Sequence, residues 1–434
     1  MATIIYMPKW GSAMTQGKIV SWSREEGEAI ESGEALVEIE TEKITNLVEA
    51  PVSGIVRKVL VPEGEAAPVS APIAVITAVD EEWDGKLGAA PESSQTSGAP
   101  GLRRQGPPGS SETREQSAGV SGNKAVTPAA RSLAKKRGID LTQISGSGTG
   151  GRIVLEDLFD YLALQTGWPG SRFIPVGDCL THYLDLGQGF PLVLLHGLGA
   201  SGSAWQPNLH YLANYFRVLA PDLPGAGLSD SLATGYTLEF YTGFLGDFLD
   251  YLGIDRCVIV GNSLGGAIAV AFARHFPGKV SGLVLEDCAG LGQEVTPELR
   301  PAVLDSVSRE GISKLLGLLF HDPKFVFPGT IEELYRYRQR PGAYEALKSA
   351  VENQLGDEGQ KIDVSKELAQ ISLPTLVIWG AEDRITPLSQ GVKVAGLLPK
   401  GSLTAYEGCG HCPHIEQADR FNQEVARFVR ELLE

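Results

Sequence analysis

Five cysteines in 434 residues are too few for a disulfide framework, and their odd number fits a reducing compartment. No apolar run reaches the length of a bilayer span, so a membrane partner is not expected. The first residues lack the basic region and apolar stretch of a secretory signal; Ala2-Thr3-Ile4-Ile5-Tyr6 reads as a strand instead. The expected location is the cytoplasm. Positive charge is also scarce. Against 53 Asp and Glu stand 37 Lys and Arg, a net charge of −16 that argues against wrapping a nucleic acid backbone. The deficit is uneven: residues 1–80 hold six basic against twelve acidic residues, and residues 124–162 hold six against four. A small basic island in an acidic chain suggests a docking surface for an acidic partner.

The length predicts two or three domains, and the composition divides the chain accordingly. Residues 1–80 repeat themselves, Lys18-Ile19-Val20 with Glu26-Gly27-Glu28-Ala29 recurring as Gly54-Ile55-Val56 with Glu63-Gly64-Glu65-Ala66. Short alternating runs between Gly, Pro and Glu read as strands and turns, two matching sheets about an approximate two-fold axis. Lys43, in Glu40-Thr41-Glu42-Lys43-Ile44, falls in the turn between the halves. In residues 81–123, 19 of 43 positions are Gly, Pro or Ser, and large apolar residues almost vanish. That segment reads as a flexible tether with an r.m.s. span of roughly 35 Å.

Residues 124–162 regain helical order. Thr127-Pro128 offers an N-cap and a first-turn proline, Gly138 a stop after Arg131–Arg137, and a second short helix fits Leu155–Leu162. After a joint at 163–171, residues 172–434 alternate strands and helices as one α/β domain, with a helical cap expected at about 290–372. The expected strands include Leu192–Leu195, Arg217–Ala220, Cys257–Val260, Leu283–Glu286, Thr375–Trp379 and Leu403–Tyr406. Gly146, Gly148 and Gly151 match G-x-G-x-x-G, but no adequate strand precedes them, so a dinucleotide site is not expected. Gly261-Asn262-Ser263-Leu264-Gly265 lies between the strand Cys257–Val260 and the helical run Ala267–Phe276. Small neighbours suit a sharp turn that lifts a serine hydroxyl above a sheet.

Three resemblances follow from these motifs. Residues 1–80 resemble the lipoyl domain of 2-oxo acid dehydrogenase complexes, which implies a lipoyl group on Lys43. Biotin carriers share that fold, but their lysine usually lies between methionines, whereas Glu42 and Ile44 flank this one. Residues 126–162 resemble the peripheral subunit-binding domain of the same complexes, through Thr127-Pro128-Ala129-Ala130-Arg131, Lys135-Lys136-Arg137-Gly138-Ile139-Asp140 and Gly148-Thr149-Gly150-Gly151-Arg152-Ile153. That resemblance implies that Arg131, Lys135 and Arg152 clamp an acidic partner. Ser132 stands where many relatives carry a second arginine, which leaves the choice of partner open.

The third module resembles the alpha/beta hydrolase family. The resemblance implies Ser263 as nucleophile, His411 of Gly408-Cys409-Gly410-His411 as base and Asp383 of Trp379-Gly380-Ala381-Glu382-Asp383-Arg384 as acid, in the order usual for the fold. It also implies an oxyanion hole from the amides of Leu198, in Leu195-His196-Gly197-Leu198-Gly199, and Leu264, with His196 orienting that loop. Two residues compete for these roles: Asp287, which also ends a strand, and His414. Cys409 and Cys412 form a C-x-x-C, yet their place in the histidine loop argues against a redox pair, and no metal is expected.

The modules in this order are similar to the acyltransferase component of a 2-oxo acid dehydrogenase complex. The His-x-x-x-Asp-Gly motif usual in that family is absent, and a hydrolase module in its place is similar to the acetoin dehydrogenase type. The implied reaction moves acetyl from dihydrolipoyl-Lys43 to coenzyme A, covalently through Ser263 or by direct attack. The implied partners are dihydrolipoamide dehydrogenase and a thiamine-diphosphate-dependent dehydrogenase component around a homo-oligomeric core. Two alternatives stay open: a thioesterase, esterase or carbon–carbon hydrolase that the front modules merely locate, and a catalytically idle scaffold.

Overall fold

The computed structural model describes residues 3–7, 16–31, 34–40, 45–50, 52–68, 71–78 and 125–434. The tether expected at 81–123 lies outside these residues. At the front, eight short strands pair: β1 (Thr3–Tyr6), β2 (Gln16–Trp22), β3 (Ala29–Ile30), β4 (Ala35–Glu40), β5 (Thr45–Glu49), β6 (Gly54–Val59), β7 (Ala66–Pro68) and β8 (Pro72–Thr77). They make two four-stranded sheets, ordered β1-β8-β6-β3 and β5-β4-β2-β7. Each strand in one sheet has a counterpart half the module away in the other, as the internal repeat requires. Ile19, Leu36, Ile39, Val56, Ile73 and Ile76 meet between the sheets with no exposure, while the alternate residues of β2 face out. β4 and β5 pair with Glu40 opposite Thr45.

Two helices follow, α1 (Pro128–Arg137) and α2 (Leu155–Thr166). Thr127 Oγ1 accepts from the Ala130 amide at 3.3 Å, and Gly138 closes α1 with φ 65°, so the start and stop signals both work as the sequence suggests. Ala130, Ala134, Ile144, Ile153 and Leu158 form the small core. The Asp157 carboxylate draws in the loop by accepting from the amides of Ser147 and Val154. The joint expected at 163–171 begins inside a helix: α2 runs on to Thr166 and stops at Gly167, φ 69°. Phe159 of α2 packs on Phe173 and Leu180, and Lys136 and Arg137 both reach the Asp230 carboxylate, at 3.0 and 2.5 Å. The helical module is thus seated on the domain that follows it.

That domain is built on eight strands, β9 (Ser171–Val176), β10 (Cys179–Leu186), β11 (Pro191–Leu195), β12 (Arg217–Pro221), β13 (Cys257–Asn262), β14 (Val280–Glu286), β15 (Thr375–Gly380) and β16 (Gly401–Tyr406). Their order is β16-β15-β14-β13-β11-β12-β10-β9, parallel except where β10 meets β9 and β12. The parallel strands are sandwiched between helices and so must be apolar on both faces; β13, β14 and β15 are buried at every residue. α3 (Gln206–Ala213) lies on one face, α4 (Leu238–Tyr251) and α5 (Leu264–His275) on the other. Between β14 and β15 come α6 (Leu299–Leu304), α7 (Arg309–Leu319), α8 (Pro328–Arg338) and α9 (Ala343–Gln354), within the stretch expected to form a cap. α10 (Leu388–Leu397), α11 (Pro413–Glu416) and α12 (Ala418–Leu433) complete the domain. No helix among the described residues is long and apolar enough to cross a membrane.

Candidate active site

Six parallel strands, β11 to β16, deliver their C-terminal turns to one edge of the sheet, where open α/β folds gather ligands. β13 is central, and Ser263 lies in the turn between it and α5. Its φ of 53° and ψ of −117° place a non-glycine residue in a strained conformation. The neighbours have to be small for this turn to exist. A Cβ on Gly261 would lie 2.3 Å from the Gly265 carbonyl oxygen, and one on Gly265 would lie 2.2 Å from that of Leu195. The Ser263 amide donates to Glu286 O at 3.0 Å, extending the β13–β14 ladder one residue past the strand and anchoring the turn.

The structure brings Asp383 and His411 together. His411 Nδ1 lies 2.8 Å from Asp383 Oδ2, both side chains nearly without exposure. A carboxylate on Nδ1 selects the tautomer with Nε2 free to take a proton. Asp383 is itself held by the Ile385 amide at 2.7 Å and the Thr386 hydroxyl at 2.8 Å. Burial opposes its charge, but attraction to His411 and these hydrogen bonds prevail and hold the carboxyl below its usual range. Two further contacts fix the histidine loop: Asn262 Nδ2 donates to His411 O at 3.1 Å, and the His411 amide donates to Leu319 O of α7 at 2.8 Å. The residue before Ser263 thereby grips the His411 backbone directly.

Gly197 brings the loop after β11 against the serine turn; a Cβ there would come 3.0 Å from Asn262 Oδ1 and 3.1 Å from Ser263 Cβ. Among the described residues no protein acceptor takes the amides of Leu198 or Leu264, and Leu264 opens α5, where the helix dipole favours negative charge. His196 orients this loop, with Nδ1 2.8 Å from Gly197 O and Nε2 accepting from the Leu223 amide at 3.0 Å. Burial holds the His196 ring below its usual pKa, which suits the accepting role.

His414 points elsewhere, to Glu286 at 2.9 Å with its ring 4.2 Å from that of Trp205. Cys409 and Cys412 are buried free thiols, and burial with nearby acids pushes both away from the thiolate. Arg131, Lys135 and Arg152 are exposed, Arg131 and Lys135 one turn apart on α1. Lys43 lies outside the described residues.

Two features escaped the sequence reading. Ser171, His182 and Asp222 form a hydroxyl–imidazole–carboxylate row, 2.9 and 2.8 Å apart. All three are buried, and Asp222 also holds the Gly202 and Leu228 amides, so the row ties β9, β10 and β12 together. The other is Arg338, on the buried face of α8 with Leu334 and Tyr337. It lines a cavity with Leu198, Gly199, Leu223, Gly225 and Leu264. Its Nη2 donates to Gly199 O at 2.6 Å, its Nε has no partner, and no carboxylate pairs with it among the described residues. Burial pulls this guanidinium down to about 10, still charged at neutral pH. Helical spacing from Leu334 was the available signal, masked by Arg336 and Arg340 on either side.

Residues 191–418 match the family described as alpha/beta hydrolase fold, residues 3–76 that described as Biotin-requiring enzyme, and residues 125–159 that described as e3 binding domain. The chain is 28% identical over 426 residues to the dihydrolipoyllysine-residue acetyltransferase component of the acetoin cleaving system of Pseudomonas putida, covering 98% of this chain and 97% of that one. It is 37% identical over 268 residues to a 2-hydroxy-6-oxononadienedioate/2-hydroxy-6-oxononatrienedioate hydrolase of Paraburkholderia phymatum, covering 57% and 90%. Among solved structures, a meta-cleavage product hydrolase of Pseudomonas fluorescens matches with TM-score 0.56 at 30% identity, over 60% of this chain and 97% of that one. The chain belongs to the alpha/beta hydrolase fold family, with a biotin/lipoyl-type domain and an e3 binding domain joined ahead of the hydrolase domain.

Proposed function

We propose that this protein transfers an acetyl group from its own dihydrolipoyl-Lys43 arm to coenzyme A within a cytoplasmic, acetoin-type multienzyme complex. The observation that carries the reading is the His411–Asp383 pair, locked to the strained Ser263 turn through Asn262, on a chain that also bears a biotin/lipoyl-type module. β4 ends at Glu40 and β5 begins at Thr45, paired opposite each other, and Lys43 falls between them in the sequence. A lipoyl group there supplies an acyl thioester on a long arm. Full-length likeness to an acetyltransferase component of an acetoin cleaving system supports the same role.

In this mechanism His411 Nε2 takes the Ser263 proton as Oγ bonds to the thioester carbonyl carbon, while Asp383 steadies the resulting imidazolium. The Leu198 and Leu264 amides receive the charge that develops on the carbonyl oxygen; losing one such donor costs about 3 kcal/mol. The carbon–sulfur bond then breaks, His411 returns its proton to the departing thiol, and the acetyl group rests on Ser263. The coenzyme A thiol gives its proton to His411, bonds to the acetyl carbon, and Ser263 recovers its hydrogen. The exposed Arg131, Lys135 and Arg152 dock dihydrolipoamide dehydrogenase or the thiamine-diphosphate-dependent component, and copies of the chain form the core. Rapid-quench mass spectrometry should catch acetyl on Ser263; full turnover by Ser263→Ala would remove the serine from the chemistry.

A second reading is favoured by Arg338. A buried cation in the cavity that holds Leu198 and Leu264, with no paired carboxylate among the described residues, suits an acidic substrate, and the Paraburkholderia phymatum hydrolase is named for 2-hydroxy-6-oxo dioic acids. Cleavage of such an acid by the purified protein, lost in Arg338→Met, would favour it.

A further inference from the structure

The acid that competes with Asp383 in the sequence lies against it in the fold. Asp287 follows β14 at φ 41°, a conformation that costs a non-glycine residue backbone energy. Its side chain is fully buried. Oδ1 accepts from the Gly380 amide at 3.0 Å, and among the described residues Oδ2 accepts no hydrogen bond. One carboxyl oxygen each from Asp287 and Asp383 and one His411 ring nitrogen lie within 4.8 Å of one another. Two carboxyls so close, away from water, do not both ionise. Asp383 has His411, the Ile385 amide and Thr386 to hold its charge. Asp287 faces Glu286 and Cys288 from its own segment, Asp383 from the turn after β15, and Cys409, His411 and Cys412 from the histidine loop. No lysine or arginine pairs with it among the described residues. Burial first, and then the charges of Asp383 and Glu286, push its carboxyl well above the usual range.

Building on the roles proposed for Ser263, His411 and Asp383, we infer that Asp287 is a positioning residue, a neutral carboxylic acid that donates its hydrogen to Asp383 and holds that carboxylate against the His411 ring. The row then runs acid, carboxylate, imidazole, hydroxyl. The Asp287 proton is not transferred in the reaction; it fixes the orientation of the group that fixes the base.

The proton and the positioning are read separately. For the proton, thermal unfolding of wild type and Asp287→Asn is followed from about pH 4 to 8. A carboxyl with a raised folded pKa contributes its full stability below its unfolded value, and that contribution drains away as pH rises towards the folded value. The Asp287→Asn curve should therefore meet or lie below wild type at the acid end and gain on it steadily with pH. A gap that does not change with pH overturns the inference, whatever Ser263 does. For the positioning, turnover of S-acetyl-dihydrolipoamide is measured against pH. Asp287→Ala removes the donor, so the rate should fall roughly tenfold and the acid limb move to higher pH, because the uncompensated carboxylate holds imidazolium more tightly. Asp287→Asn restores a neutral donor and should return the limb to its wild-type position. A limb displaced downward by about a unit in Asp287→Asn means a negative charge was lost, which contradicts a neutral Asp287. Wild-type rate and limb in Asp287→Ala would overturn the positioning role. If Asp287→Ala does not fold, Asp287→Asn still decides between neutral acid and anion. Turnover surviving in Ser263→Ala defeats the underlying assignment and leaves the unfolding comparison standing.

Discussion

Asp383 meets His411 Nδ1 with one oxygen and is itself held by the Ile385 amide and the Thr386 hydroxyl, so that in the proposed mechanism it selects the tautomer and stays fixed while the ring changes charge. Replacing it by Asn keeps the shape and loses the tautomer, so Asp383→Asn should lower turnover by roughly 10³–10⁴, measured under saturating donor. Its folded pKa lies below the ordinary value, so the stability it contributes is present above the unfolded value and lost as pH falls through the folded one. Acid titration of the wild-type melting temperature, compared with Asp383→Asn, should show that loss only in the wild type. Arg338 makes the opposite case. Because a buried cation with no paired carboxylate among the described residues adds little stability, Arg338→Met should unfold within about 1 kcal/mol of wild type while weakening any anionic ligand of the cavity. Ser263 was legible because its glycines obey a steric rule that survives in one dimension. Arg338 was not, since its burial depends on how α8 lies over a loop more than a hundred residues earlier.

At the scale of elements, the serine turn depends on α5 starting hard against β11. Adding a methyl to Gly265 would place it 2.2 Å from Leu195 O, backbone that cannot rotate away. Gly265→Ala should cost roughly 2–4 kcal/mol in urea unfolding and should abolish acylation of any folded remainder. The seating of the helical module rests on a lighter contact. Lys136 and Arg137 share Asp230, whose side chain is 12% exposed, so Asp230→Asn should loosen α1 and speed its amide exchange while β13 and β14 stay protected. Continuous apolar runs made β11 through β15 readable, because a strand covered on both faces needs them. β9 and β10 were harder: Pro175, Thr181 and His182 interrupt the apolar pattern, and burial of His182 is met by Ser171 and Asp222 from distant segments. The end of α2 was misjudged because Leu164 is 79% exposed and breaks the amphipathic spacing, although Gly167 carried the stop signal.

For the whole molecule, the proposed function requires carrier and catalyst to work on each other. Intact-mass analysis of the native protein should show a lipoyl adduct on Lys43. Lys43→Arg should abolish transfer from a chain-borne acyl group yet leave turnover of free S-acetyl-dihydrolipoamide within about twofold, since the hydrolase-domain site is untouched. The three-module plan could be read from composition and repeats alone, since a two-fold internal repeat, a Gly/Pro/Ser-rich stretch and a basic island are each properties of sequence. The acceptor could not, because a triad activates a thiol or a water by the same geometry. The most direct measurement incubates the lipoylated protein with S-acetyl-dihydrolipoamide, with and without coenzyme A, and quantifies acetyl-CoA against acetate. Acetyl-CoA should be the main product, with little acetate when coenzyme A is withheld. Acetate released at the same rate in both would contradict the proposed transfer.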